Sequence, residues 1–448
     1  MNAETPPSSL LMAGQRADVS AIAPAATRKR RAAANEVARA GAGAKRAAAR
    51  LARAPTRQKN DALAHMAALL TSKAAQLLEA NEADVKAAAS AGMSSALVDR
   101  LILNEKRIRA MADGLLAVAA QPDPVGELID EWDRPNGLRI HKVRVPLGVV
   151  AVIYEARPNV TADVASLTCK SGNAALLRGS SHALASNLAI TRLLRAGAMQ
   201  AGLPEDSIQL IEDTSREAAV ELMRAKKYVD LLIPRGGPAL IASIEASATV
   251  PTIIDGDGNC HVYVDRAADP EVASSIAMNA KVQRPGVCNA AETLLVHRDL
   301  AAGWLPGTLD QLAAVGVEIR GDREVLALWP SATLADEADW ATEYLDLILA
   351  VRVVGSLGEA IAHINRWGTS NAEAIVSEDL EAARRFAEEV DSGTIFVNAS
   401  TRFSDGGEFG YGAEIGISTQ KLHARGPMGL RELTTFKYVV WGSGQIRS

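Results

Sequence analysis

Val149-Val150-Ala151-Val152-Ile153-Tyr154 is an apolar run with no polar alternation. A strand with one wet face alternates, whereas an unbroken run suits a strand covered on both faces, as in a parallel sheet. The run passes directly into Glu155-Ala156-Arg157-Pro158-Asn159, which opens a helix. Downstream the same unit recurs. Strands are expected at 174–177, 208–211, 229–233 and 261–264, with helices between them at 182–198 and 215–226. The alternation restarts beyond Cys288, with strands at 293–296, 347–354 and 394–397. This pattern predicts an α/β fold of two units built from right-handed βαβ crossovers. A ligand cleft is expected near the seam between their sheets.

Upstream, residues 35–120 carry apolar residues at spacings of three and four, the mark of amphipathic helices. Residues 1–34 are rich in Ala, Pro, Ser and Thr and end in Arg28-Lys29-Arg30-Arg31; they read as a disordered leader. Pro122 and Pro124 close the helical region. Two strands then flank Pro135-Asn136-Gly137, a strong hairpin signal. Such a hairpin is either an arm reaching to another subunit or an ordinary surface ribbon.

The chain has 448 residues, 48% hydrophobic and 23% charged, as expected of a globular enzyme with an ample core. The net charge of −5 argues against nucleic acid or an anionic membrane as a main partner. The only cysteines are Cys169, Cys260 and Cys288, too few for a disulfide framework and without metal-ligand spacing. No metal is therefore expected. The absence of a bilayer-length apolar run or a secretory signal points to the cytoplasm.

Cys288 lies in Gln283-Arg284-Pro285-Gly286-Val287-Cys288-Asn289-Ala290, a polar loop bent by Gly and Pro. Flanked by Gly286 and Asn289, with Arg284 four residues before it, the thiol has the surroundings of a partly exposed group of lowered pKa. It is either a nucleophile or a loop bystander. No Gly-x-Gly-x-x-Gly follows the first strand. Instead Arg157 with Asn159, Arg178-Gly179-Ser180, and Arg235-Gly236-Gly237 stand where expected strands meet helix starts. Cations and exposed N–H groups there favour phosphate, so a phosphorylated nucleotide is expected.

Longer stretches carry a resemblance. They are Val145-Pro-Leu-Gly-Val-Val-Ala-Val-Ile-Tyr-Glu-Ala-Arg-Pro-Asn159, Gly258-Asn-Cys-His-Val-Tyr-Val-Asp265, Asn398-Ala-Ser-Thr-Arg-Phe403 and Gly412-Ala-Glu-Ile-Gly-Ile-Ser-Thr-Gln-Lys-Leu-His-Ala-Arg-Gly-Pro-Met-Gly429. From about Asn35 to its end the chain resembles the gamma-glutamyl phosphate reductases, or glutamate-5-semialdehyde dehydrogenases, of the aldehyde dehydrogenase superfamily. The resemblance implies an aldehyde dehydrogenase-like fold. A Rossmann-like NADPH-binding domain would span 35–124 and 146–265, and a catalytic domain 266–427. An oligomerisation arm would comprise the hairpin 125–145 and the segment 428–448.

The resemblance also implies the reaction: glutamyl 5-phosphate is reduced by NADPH to glutamate 5-semialdehyde, with release of phosphate, in proline biosynthesis. Cys288 matches the family nucleophile. Arg157 or Asn159 would stabilise the oxyanion, or Arg157 would grip the departing phosphate. Arg178 would meet the cofactor's 2′-phosphate, Arg235 and Gly236 would lie near the nicotinamide, and Glu343 near its ribose. Arg284, Asn398, Ser400, Thr401 and Arg402 would hold the substrate, with Arg425 a further partner for its carboxylate. A homo-oligomer is implied, and a glutamate 5-kinase is an expected partner.

Oxidising relatives carry a general-base glutamate in the segment matching 253–258. This chain has none there, and Asp255 reads as a turn residue. The alternative is a related dehydrogenase that oxidises a small aldehyde to an acid or thioester. One departure stands out: the family's frequent Gly-His-Ser/Thr-Asp run is replaced here by Asn371 for the histidine and Glu373 for the aspartate.

Overall fold

The computed structural model describes residues 25–447. Two parallel sheets form its frame. The first is four-stranded, in the order Ile208–Leu210, Ala174–Arg178, Val149–Tyr154, Leu231–Arg235. Val149–Tyr154 sits inside it, pairing Val150 with both Ala175 and Leu231, and is buried along its whole length. Helices Ala25–Leu51, Thr56–Ser72, Glu105–Ala120, Asn159–Lys170 and Leu184–Gln200 cover this sheet, sharing one apolar core with it.

The second sheet has seven strands. Their order is Thr333–Leu334, Glu318–Gly321, Ile348–Val354, Ala291–His297, Cys260–Val264, Ala372–Val376, Thr394–Val397. The strand expected at 261–264 was grouped with the first sheet, yet it pairs here with Ala291–His297 and Ala372–Val376. Hydrogen-bond partners, not chain order, decide membership, so the first domain's sheet ends before the expected division at 265. The strand Ala372–Val376 escaped notice because Glu373 interrupts its apolar run. Glu373 is fully buried and accepts a 2.6 Å bond from the His261 N–H of the neighbouring strand.

The expected leader also needs correction. The first helix begins at Ala25, not Asn35. Its Ala-rich composition favours helix, its Ala33 is fully buried in the first core, and Arg30 pairs with Glu221 at 3.0 Å. Residues 1–24 lie outside the described residues.

Leu128–Asp133, Arg139–Pro146 and Thr434–Trp441 form a separate antiparallel sheet with Arg139–Pro146 central. The hairpin turns at Gly137, whose φ of +83° suits glycine. Among the described residues no helix is long and apolar enough to cross a membrane, and no group of His, Cys, Asp or Glu could hold a metal ion.

Candidate active site

The helix Pro270–Val282 feeds the cysteine loop. Its start is set by Pro270 at the first turn and by Asp269, whose side chain accepts from the Glu271 and Val272 N–H groups at 2.9 Å each. The loop then joins the strand Ala291–His297. Lys281 and Glu292 stand at its two stems, both fully buried and 2.6 Å apart. Burial pushes Glu292 up to about 7, against the pull of Lys281. Burial likewise lowers Lys281, against the pull of Glu292. The other Glu292 oxygen accepts from the Leu345 N–H at 3.2 Å. A buried ion pair of this kind fixes register more than it stabilises, and here it holds the loop ends together.

Within the loop, Ala290 N–H donates to the Val287 carbonyl at 3.0 Å, turning the chain across Cys288. Asn289 donates to the Ser404 carbonyl at 2.8 Å, and Thr401 donates to the Asn289 carbonyl at 2.8 Å. The Cys260 thiol approaches the Cys288 carbonyl at 3.2 Å. A Cβ on Gly258 would fall 1.7 Å from that same oxygen, so only glycine fits. Cys288 is thus braced from several sides while its side chain stays partly exposed. Cys169 and Cys260 are buried.

The thiol does not have the lowered pKa expected from Arg284. Burial pushes the Cys288 thiol up. Arg235 is the leading opposing influence, Glu414 and Glu343 add to the rise, and the Asn371 side chain opposes it. The leading cation acting on the sulfur therefore comes from the far sheet, where local sequence reading does not look.

Cations do converge on this place. The Arg157 pKa is lowered by desolvation first, then by the fields of Arg100 and Arg235, with Arg284 adding and Glu155 opposing. Arg402 is lowered by desolvation and then by Arg284, while Asp405, Cys288 and Cys260 oppose. The four arginines Arg157, Arg235, Arg284 and Arg402 thus feel one another or the thiol, although they come from four separated segments.

Arg235 ion-pairs with Asp255, whose other oxygen accepts from the Ile417 N–H at 3.1 Å. Asp255 is therefore engaged in bracing the fold. Glu155 joins the two first-sheet loops: its N–H donates to the Arg235 carbonyl at 3.0 Å, and its carboxylate accepts from the Gly237 N–H at 2.9 Å. Gly236 packs against Glu155 so closely that a Cβ would lie 2.8 Å from its side chain. Asn159 donates to Asp163 at 2.9 Å. Arg178 donates through Nη2 to the Thr214 and Ser215 carbonyls, while its buried Nε has no partner. Gly179 packs against Asn187, and Ser180 caps a short helix by accepting from the His182 N–H.

The loop after the last strand of the second sheet is different. Asn398, at φ +53°, exchanges bonds of 2.9 and 3.0 Å with the Ser377 backbone. Ser400 and Thr401 are buried and bond within the scaffold. Arg402 reaches Gln283 at 2.9 Å, Arg425 pairs with Asp391, and Glu343 accepts from the Gly258 N–H at 2.7 Å. Sequence reading missed Lys281, Glu292 and Glu414, and saw Asn371 only as a departure. The available signal was a charged or amide residue inside an apolar run, as in Ala291-Glu292-Thr293-Leu294.

Comparison with known proteins gives a consistent result. The profile described as "Aldehyde dehydrogenase family" matches residues 15–326 and 336–439. A gamma-glutamyl phosphate reductase of Moorella thermoacetica is 58% identical over 412 residues, covering 92% of this chain and 99% of the relative. One from Caldanaerobacter subterraneus subsp. tengcongensis is 55% identical over 404 residues, covering 90% and 98%. The crystal structure of gamma-glutamyl phosphate reductase from Thermotoga maritima superposes with a TM-score of 0.90 at 48% identity, covering 92% of this chain and all of that one.

Proposed function

The chain belongs to the aldehyde dehydrogenase family and, within it, to the gamma-glutamyl phosphate reductases, which are oxidoreductases using a nicotinamide cofactor; from this we propose that it reduces glutamyl 5-phosphate to glutamate 5-semialdehyde for proline biosynthesis, with NADPH, by way of a thioester on Cys288. The observation carrying this reading is that Arg235 and Arg402 act on a partly exposed cysteine, with Arg157 in the field of the first and Arg284 in that of the second. An acyl phosphate with a carboxylate at its far end is a multiply charged anion, and such a surround suits it.

The Cys288 thiolate attacks the acyl carbon, an oxyanion forms, and its collapse expels phosphate with the bonding pair. Arg157 steadies the departing phosphate. Donors for the oxyanion are the Cys288 backbone N–H and either Arg157 or the Asn159 amide. NADPH, if held there, would supply a hydride to the thioester carbon, and the resulting tetrahedral oxyanion would re-form its carbonyl by expelling the Cys288 thiolate, freeing the aldehyde. The buried, unpartnered Nε of Arg178 suits a nearby anion such as the cofactor's 2′-phosphate. In this reading Gly179, Ser180, Gly236 and Gly237 line the cofactor's path, and Glu343 turns to its ribose. Asn398, Ser400 and Thr401 shape the substrate end, where Arg284 and Arg402 take the carboxylate.

Engagement of Asp255 with Arg235 and the Ile417 N–H argues against its serving as a water-activating base. This favours acyl phosphate chemistry over oxidation to an acid. The three-stranded sheet leaves Trp132, Phe436, Tyr438, Val440 and Trp441 exposed, which supports a homo-oligomer assembled through it. A glutamate 5-kinase supplying the labile substrate completes the reading.

The test is the reverse reaction. NADP reduction by the semialdehyde should require phosphate, and Cys288→Ser should abolish it by at least about a thousandfold. Phosphate-independent turnover, or an active Cys288→Ser protein, overturns the proposal.

A further inference from the structure

Asn371 is fully buried, and neither of its side-chain polar atoms has a hydrogen-bond partner. A buried amide with both ends unpaired is rare, because such groups lose water and gain nothing back. Its surroundings are rigid. Ser370, immediately before it, holds a left-handed φ of +62°, and the Asn371 carbonyl accepts from the Thr394 N–H at 3.1 Å. The Thr369 hydroxyl accepts from the Asn259 N–H at 2.9 Å. The next residue, Cys260, touches the Cys288 carbonyl, and Gly258 packs on that same oxygen. Segment 258–260 therefore fastens the Asn371 turn to the cysteine loop. The Asn371 side chain pulls the Cys288 thiol's pKa down against the effect of burial, yet no well-formed hydrogen bond joins them.

We propose that Asn371 is a positioning residue for the nucleophile, its Nδ2–H group held ready to bond the Cys288 sulfur once that sulfur is a thiolate. A neutral thiol is a weak acceptor, so the amide gains little from it in the resting state. A thiolate accepts strongly, and a charge-assisted bond is about twice as strong as a neutral one. The unpaired amide is thereby matched to the charged form. The other charged or titratable groups acting on the sulfur are Arg235, Glu414, Glu343, Arg402 and Cys260. Arg235 and Arg402 favour the thiolate, and Glu414 and Glu343 oppose it. Asn371 adds a neutral donor from the second sheet. The inference rests on Cys288 being the nucleophile, as proposed above, but its test needs neither substrate nor cofactor.

The experiment is the pH dependence of Cys288 alkylation by iodoacetamide in the full-length protein, with Cys288→Ser as the blank for Cys169 and Cys260. Asn371→Leu should move the midpoint upward and slow alkylation at neutral pH about tenfold, with the plateau rate at high pH unchanged. Asn371→Asp, nearly the same size, should move the midpoint further in the same direction by placing a carboxylate there. Asn371→His restores an N–H donor and should keep the midpoint near that of the parent. This set stays informative if the leucine variant fails to fold. A parental midpoint in the Leu variant, or in the Asp variant where Leu does not fold, overturns the proposal. Because the readout is alkylation, loss of the proposed reductase activity in the parent would leave this result standing on its own.

Discussion

Two groups of residues belong to the candidate site, and their polar atoms are used in opposite ways. Arg157 and Arg284 stand exposed, their guanidinium groups in the fields of other cations. Asn398, Ser400 and Thr401 come from the recognisable motif Asn398-Ala-Ser-Thr-Arg-Phe403. Yet each directs its side chain to backbone groups of its own domain. Like charges held together cost free energy unless an anion joins them, whereas hydroxyls and amides whose hydrogen bonds are made within the fold hold a scaffold at little cost. The difference teaches that a recognisable motif marks a site without separating the groups that contact ligand from those that shape it.

The sharpest way to break this comparison is to remove one exposed cation. Arg157→Ala should lower kcat/KM for the acyl phosphate about a hundredfold, the scale for losing one donor aimed at developing charge. Thermal stability should hold or rise slightly, because a repulsive neighbour of Arg100, Arg235 and Arg284 is gone. Steady-state kinetics and a melting curve of the same preparation decide it. A variant with unchanged kcat/KM would place Arg157 outside the chemistry.

The opposite response is expected from the scaffold. Thr401→Val keeps the shape but leaves the buried Asn289 carbonyl without its 2.8 Å partner. The loss should be about 1–3 kcal/mol of unfolding free energy, with KM changed less than about twofold. Chemical denaturation read beside kinetics separates the two effects. A large KM change with full stability would move Thr401 into the contact group.

Much of the frame was legible in the sequence because parallel strands buried on both faces have unbroken apolar runs. The strand Val149–Tyr154 read directly for that reason, and Ala291–His297 and Ile348–Val354 read from the apolar stretches 294–296 and 348–351 within them. Strand partnership was not legible: Cys260–Val264 looks like its predecessors, and only its hydrogen bonds assign it to the second sheet. The helix 25–34 was misread because its helix-favouring alanines, with Ala33 buried, weigh less than its Pro-rich approach and basic cluster. In the candidate site, Cys288 stood out from its loop as a candidate, but the direction of its pKa did not. That direction depends on burial and on Arg235, Glu343 and Glu414, none of which lies near it in the chain. Lys281 and Glu292 are eleven residues apart, and nothing in their spacing tells of a buried pair.

Glu414 provides the finest cut between the two groups, since it belongs to both. It accepts from the Gly406 N–H at 2.9 Å as a scaffold residue does, yet it acts on Cys288, Arg235 and Arg402. Burial pushes its carboxyl up to about 6, helped by Asp405 and opposed by Arg235. A folded pKa above the ordinary 4.5 means that the folded state binds the proton more tightly than the unfolded one. Stability from this group therefore falls as pH rises between those two values, and the penalty is complete above the higher one. Glu414→Gln keeps an acceptor for Gly406 and removes the charge. It should stabilise the protein by about 1 kcal/mol at pH 8, a figure discounted for partial exposure. The gain should shrink as pH falls through 6 and vanish below the ordinary carboxyl range. Melting temperatures of parent and variant across that range measure it. A gain independent of pH would mean that Glu414 carries no strained charge and belongs wholly to the scaffold.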